Sequence, residues 1–236
     1  DKGDYKNAFE SLTKQSEYIA VAAIIRGLKF FDQKDIAEIG YNIKIRYNLV
    51  ENFIEYLDIN EMIRVMKENK DLLTPYIEIY YTVYLLLKHK YTETYFYDLK
   101  RLLLEYNDLL PQSDKYMLYS ICTAFCDRMV TEKGILKFKI DQFDVYKSML
   151  GLGVYKYSSQ DFFQISLFRA MLISARVNKE LDWMKDLIDN YSKELNPDFK
   201  ETMKFYSLGQ YYFAIGENEK ALESLIRVKS DYFLYK

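Results

Sequence analysis

The chain has 236 residues, 50% hydrophobic and 29% charged, with 33 basic against 35 acidic side chains. A net charge of -2 removes any general electrostatic reason to bind nucleic acid or an anionic membrane. Three prolines and eight glycines leave little flexible linker, and two cysteines cannot build a disulfide framework.

Strand signals are nearly absent, and apolar residues recur at helical spacing, so about a dozen helices joined by short turns are expected. The polar start DKGDYKNAFE has no signal-peptide layout, and an initial Asp reads as a fragment rather than a natural start. Gly3, Ala8 and Leu12 repeat the spacing of Gly216, Ala221 and Leu225. The most apolar runs begin at Tyr18 and Tyr76. Both are too short to span a membrane, and the first carries Arg26 and Lys29. Lys34 to Asp58 reads as one unusually long helix, and Met62 with Met66 share a helix face beyond it.

Thr74-Pro75 opens the next helix, with Thr74 as N-cap and Pro75 at the first helical position. The single histidine, His89, lies among lysines near the end of that helix, where the dipole favours a cation. No Ser or Cys has a histidine partner identifiable in sequence, so a catalytic role is not expected. Leu110-Pro111 closes a helix and Gln112-Ser113 starts another. Cys122 and Cys126 share one face of an apolar stretch. Without nearby His or further Cys they are expected as buried thiols rather than zinc ligands, which suits a reducing compartment. GLGVYK, from Gly151, is only faintly like a phosphate loop: no strand precedes it and no Lys-Ser/Thr follows, so a turn is expected. Asp182, Asp186 and Asp189 lie alongside Lys179 and Lys185 as a solvated charged face. Asn196-Pro197 opens the last long run.

In that run Phe205, Leu208-Gly209 and Tyr212 form an aromatic-x-x-Leu-Gly-x-x-Tyr pattern, followed by Gly216, Ala221, Leu225 and Val228. The stretch resembles the tetratricopeptide repeat, with Phe205 in place of the family's tryptophan and Phe233 where a proline often closes the repeat. The resemblance implies that Gly209 and Ala221 are small because two helices cross closely there. Phe205, Leu208, Tyr212 and Leu225 would fill the surrounding space, and Gly216 would take a left-handed backbone. Gly3 to Leu12 resembles the second helix of such a repeat. Leu99, Leu103 and Tyr106, then Val145 and Met149, then Met184, Ile188 and Tyr191, fall on further second-helix positions, with Met62 and Met66 as another case. Their spacing is roughly 37 to 46 residues, against 34 in the family. The expected fold is therefore all-α: a right-handed α-solenoid of stacked antiparallel helix pairs forming a single domain over residues 1–236. Residues 1–15 would be the second helix of a truncated repeat and 198–231 the best-matching repeat. Because SDYFLYK would begin another first helix, a piece of a longer array is expected.

In the family, exposed positions of first helices line the concave side and contact peptide segments of partner proteins. In the last repeat these positions are Met203, Tyr206, Gln210 and Phe213. Earlier first helices offer Tyr80, Tyr84, Tyr119, Thr123, Arg169 and Arg176. The family's grip on a C-terminal carboxylate uses Lys and Asn. Here Gln210 stands in the place of Asn and the Lys is lacking, so that ligand is not implied. The 24 tyrosines read as helix packing plus a tyrosine-rich surface, since base stacking would call for a basic stripe as well. The resemblance implies a cytoplasmic, non-catalytic scaffold for a partner protein or peptide, with no cofactor, metal, nucleic acid or membrane. The alternative is a ligand- or peptide-sensing region of a larger signalling or transcription-regulating chain.

Overall fold

The computed structural model describes residues 2–41, 49–68 and 74–229, excepting the side chains of 2, 31–33, 35–41, 51 and 55. The described chain is all-helical. It contains eleven α-helices and no strand, only an isolated parallel bridge between Phe163 and Leu195. No described helix is long and apolar enough to cross a membrane. Contacts gather into two compact units, Asp1–Asn107 and Asp108–Lys236.

In the first unit, α1 (Lys2–Tyr41) is a continuous helix of 40 residues, with no turn near residue 15. No proline interrupts it, and Val21, Ile24 and Leu28 are buried at helical spacing. Residues 3–16 are exposed throughout, Ala8 and Leu12 included. The expected single helix from Lys34 to Asp58 is not what forms. α2 (Leu49–Tyr56) packs back on α1, with Ile54 against Gly27, whereas one straight helix would separate those two by about 40 Å. Residues 42–48, in the middle of that expectation, lie outside the described residues, as do Tyr232 to Tyr235 of the expected further helix. α3 (Ile59–Glu68) begins where the Asp58 carboxylate accepts the Glu61 N–H (3.0 Å). It buries Ile59, Ile63 and Met66.

α4 (Pro75–Lys88) starts as expected, with Thr74 at the N-cap and Pro75 in the first turn. The Thr74 hydroxyl, however, makes no cap bond and is buried without a hydrogen-bond partner among the described residues. His89 closes α4, its N–H donating to the Leu85 carbonyl. α5 (Glu93–Glu105) packs on α4 and buries Phe96, Leu99, Leu102 and Leu103.

The second unit comprises α6 (Gln112–Lys133), α7 (Phe138–Gly151), α8 (Ile165–Val177), α9 (Leu181–Tyr191), α10 (Pro197–Ala214) and α11 (Asn218–Ile226). Each helix packs on the next, and α8 also packs on α10. The core is aromatic and sulfur-rich. Phe125 meets Phe138 edge to face (5.5 Å between centroids), and Phe163 meets Phe168 in the same way (5.3 Å). Cys122 and Cys126 are both buried on α6. Their small, weakly polar side chains behave there as apolar filling.

The local stop and start signals act through their side chains and backbone. Gly134 ends α6 in a left-handed conformation (φ +68°), and Gly216 ends α10 likewise (φ +83°). Asn196 accepts the Asp198 N–H (2.9 Å) at the start of α10, with Pro197 in the first turn. The segment following Gly151 is more than a turn, because residues 152–164 form an ordered excursion that buries Val154 and Phe163. The Gln112 side chain donates to the carbonyls of Gly153 (2.8 Å) and Lys156 (3.0 Å). From the other side, the Phe163 N–H donates to the Glu194 carbonyl (2.9 Å).

Candidate partner-binding face and adjoining cleft

Positions i, i+4 and i+7 of a helix share one face. On α8 these positions are Arg169, Ile173 and Arg176, and on α10 they are Tyr206, Gln210 and Phe213. The structure brings the two strips together. The Arg169 guanidinium lies 5.6 Å from the centre of the Tyr206 ring, within cation–π range. One turn and more along, Arg176 donates from Nη1 to the Gln210 side-chain oxygen (2.5 Å). Phe213 ends the strip and is 62% exposed. Because the Gln210 oxygen is engaged by Arg176, its amide nitrogen is the group left to meet an incoming backbone carbonyl.

Two of the six expected contact residues lie elsewhere. Met203 is 2% exposed and Tyr119 is 3% exposed, so both serve packing and present almost no surface to a partner. The Tyr119 hydroxyl has no hydrogen-bond partner among the described residues, and burial pushes its pKa up to about 12. Tyr80 and Tyr84 of α4 are also buried. The ammonium of Lys29 stands over Tyr80 (4.7 Å), and Lys88 donates to the Tyr84 hydroxyl (3.0 Å). The close approach of α10 and α11 is set by Gly209, where a β-carbon would fall 2.6 Å from Leu225 and 3.4 Å from the Ala221 carbonyl. Across the same pair of helices the Arg227 guanidinium lies 3.8 Å from the centre of the Phe205 ring.

Sequence reasoning missed a cleft of about 500 Å³ bounded by α6, α7 and α8. Thr123, Asp127, Lys139, Gln142, Tyr146, Ser174 and Asn178 supply its polar lining, and Ala170, Ile173 and Val177 its apolar shelf. Burial, reinforced by Asp127 and Cys126, holds the Tyr146 hydroxyl above its ordinary pKa and therefore protonated. Of these, only Thr123 stands at a position the sequence marks as a candidate contact. The others lie on three helices, and nothing local marks them as neighbours.

His89 sits beside the Tyr95 ring (5.8 Å) and is exposed. Among the described residues no group of three or more His, Cys, Asp or Glu side chains could hold a metal ion. Asp189 pairs with Lys185 (2.5 Å), and Asp186 accepts from Asn190 (2.5 Å), on an exposed face of α9. No family model, curated protein or solved structure matches the chain.

Proposed function

We propose that the chain is a non-catalytic scaffold that binds an extended segment of a partner protein. In this reading α6–α7, α8–α9 and α10–α11 are tetratricopeptide-like pairs of a right-handed α-solenoid, working in the cytoplasm. The observation that carries it is the meeting of Arg169 with Tyr206 and of Arg176 with Gln210, beside the exposed Phe213. That strip combines aromatic and arginine side chains, the types that dominate binding energy at protein interfaces. Arg176 and the Gln210 amide give it hydrogen-bond donors for a peptide's carbonyls. The Arg169–Tyr206 and Arg176–Gln210 contacts hold the strip in place before a partner arrives, which lowers the ordering cost of binding.

The test is capture from source-cell extract by the immobilised chain and by a Tyr206→Ala/Gln210→Ala variant of equal helicity. A synthetic segment of the captured protein is then titrated against both. The segment is expected to bind the parent and to lose about tenfold or more in Kd with the variant, about 1.4 kcal/mol. Equal binding by the two would remove the α8–α10 strip as the contact.

A further inference from the structure

Residues 3–16 of α1 are exposed throughout, yet they stand in a helix. A helical stretch of that length is marginal in water unless it packs on something. One face of it is apolar. Tyr5 is 81% exposed, Phe9 64%, Leu12 59% and Ile19 71%, and Ser16 and Ala23, also exposed, complete the row. The spacing alternates between four and three residues, as in the seam of a two-stranded coiled coil. From Tyr5 to Ala23 the row runs about 27 Å along the helix. The buried positions of α1, Val21, Ile24 and Leu28, lie about 130° around the helix from it. The face that packs on the first unit is therefore not the face that carries the row.

The row can be covered without leaving a polar group unpaired. The Ser16 hydroxyl donates to the Leu12 carbonyl (2.9 Å), and beside the row the Thr13 hydroxyl donates to the Phe9 carbonyl (2.9 Å). Ala8, Thr13, Gln15 and Ala20 flank it and bring no charge to desolvate. Lys6, at one edge, pairs with Glu10 on its own helix (3.7 Å).

The surface that fits the row is the same row run the other way. A two-fold axis level with Lys14 sets Tyr5 against Ala23, Phe9 against Ile19 and Leu12 against Ser16 of a second copy, each contact occurring twice. Large side chains at one end thus meet small ones at the other, and Lys6 falls opposite Ala20, so no like charges meet. A parallel pair would instead set Ser16 on Ser16 and Ala23 on Ala23, leaving those layers underpacked. The four large side chains expose about 500 Å² in all, since each such side chain carries about 150–250 Å². Two copies cover about 1,000 Å², the lower limit for a specific interface, so the association is weak.

We propose that α1 pairs antiparallel with α1 of a second copy through this row, making the chain a weak, concentration-dependent homodimer. The proposal is independent of the scaffold reading.

Its test is sedimentation velocity of the whole chain from about 1 μM to about 200 μM, with a dimer of Kd about 10 μM expected. Phe9→Glu, at an exposed position, should weaken the dimer at least about tenfold. Lys14→Glu, on the opposite side of the helix, should leave it unchanged. Amide protection of α4 and α5 checks that both variants keep the fold. For orientation, Tyr5→Cys and Ala23→Cys chains are mixed and treated with a short bismaleimide, Cys122 and Cys126 being buried. A covalent pair is expected from the mixture and not from Tyr5→Cys alone. A parent chain that stays monomeric to about 200 μM, a dimer that survives Phe9→Glu unweakened or is lost with Lys14→Glu, or a covalent pair from Tyr5→Cys alone would overturn the proposal.

Discussion

Gly209 of α10 lies so close to Leu225 of α11 that a β-carbon at position 209 would stand 2.6 Å from both the Cγ and Cδ2 atoms of the leucine. Real β-carbons do not approach so near, so Gly209→Ala must displace Leu225 or spread the pair. Overpacking of this kind costs about 1–3 kcal/mol, against a helix-propensity gain of about 1 kcal/mol. The variant is expected to be destabilised on balance, read as a lower urea midpoint. Leu225→Ala in the same chain should recover most of the loss, because it removes the obstructing atoms. A Gly209→Ala variant as stable as the parent would show that the pair is not held at this distance.

The corresponding position in the first unit is Gly27, where a β-carbon would fall 2.3 Å from Ile54 Cδ1 and 2.7 Å from its Cγ1. Ile54 is fully buried, unlike Leu225, and has less room to move aside. Gly27→Ala is therefore expected to cost more than Gly209→Ala, at the upper end of about 1–3 kcal/mol. Hydrogen exchange should show the loss first in α1 and α2. Unchanged protection there would contradict the packing of α2 on α1.

Tyr119→Phe removes a buried hydroxyl that has no hydrogen-bond partner among the described residues. Leaving a polar group unsatisfied in the interior costs about 1–3 kcal/mol, so the substitution should be neutral or stabilising by about 1 kcal/mol. For a chain of this size that is a rise in Tm of about 2–4 °C. Partner binding should be unaffected, since the residue is buried. A fall in Tm would mean that the hydroxyl has a partner in solution.

Glu194 ties the excursion after α7 to the end of α9. Its carboxylate accepts from the Tyr155 hydroxyl (2.9 Å) and pairs with Lys156 (2.5 Å). Burial alone would raise its pKa, but the hydrogen bonds from Lys156 and Tyr155 and the charges of Lys156 and Lys193 outweigh that and hold it below its ordinary value. A carboxyl depressed on folding stabilises the protein above its unfolded pKa, about 4.3, and loses that contribution as pH falls through the folded value. Tyr155 runs the other way. Burial, then Glu194, raises its pKa, so its contribution is present below about pH 10 and lost as pH rises through the folded value. Glu194→Gln is expected to cost about 1 kcal/mol at pH 7, measured by urea unfolding. The gap between the two proteins should close as pH is lowered past about 4. A gap that persisted undiminished to about pH 3 would contradict the assignment.

Legibility in the sequence followed the range of each interaction. Asn196-Pro197 and Gly216 act on their own turns, and both do in the structure what their residue types suggest. Gly209 was legible because Ala221 and Leu225 follow within one helical pair. Gly27 was not, because its reason is Ile54, beyond a stretch whose apolar spacing continues without a stop signal and reads as helix. Tyr119 and Met203 show a different limit. An aromatic or methionine fills a core as well as it covers an interface, and spacing alone does not fix the rotation of a helix. The pairing of Arg176 with Gln210, and the gathering of Asp127, Gln142 and Asn178 around one cleft, depend on helices brought together by packing. No local pattern carries them.

The scaffold reading is tested most directly by placing a photoreactive benzoylphenylalanine at Phe213 and, separately, at Leu222 of α11, both exposed. The chain is irradiated in extract, and covalent adducts are identified by mass spectrometry. A defined protein crosslinked from position 213, absent from position 222 and lost with Tyr206→Ala/Gln210→Ala, is the expected result. Adducts formed equally from both positions, or none from 213, would contradict a partner seated on the α8–α10 strip.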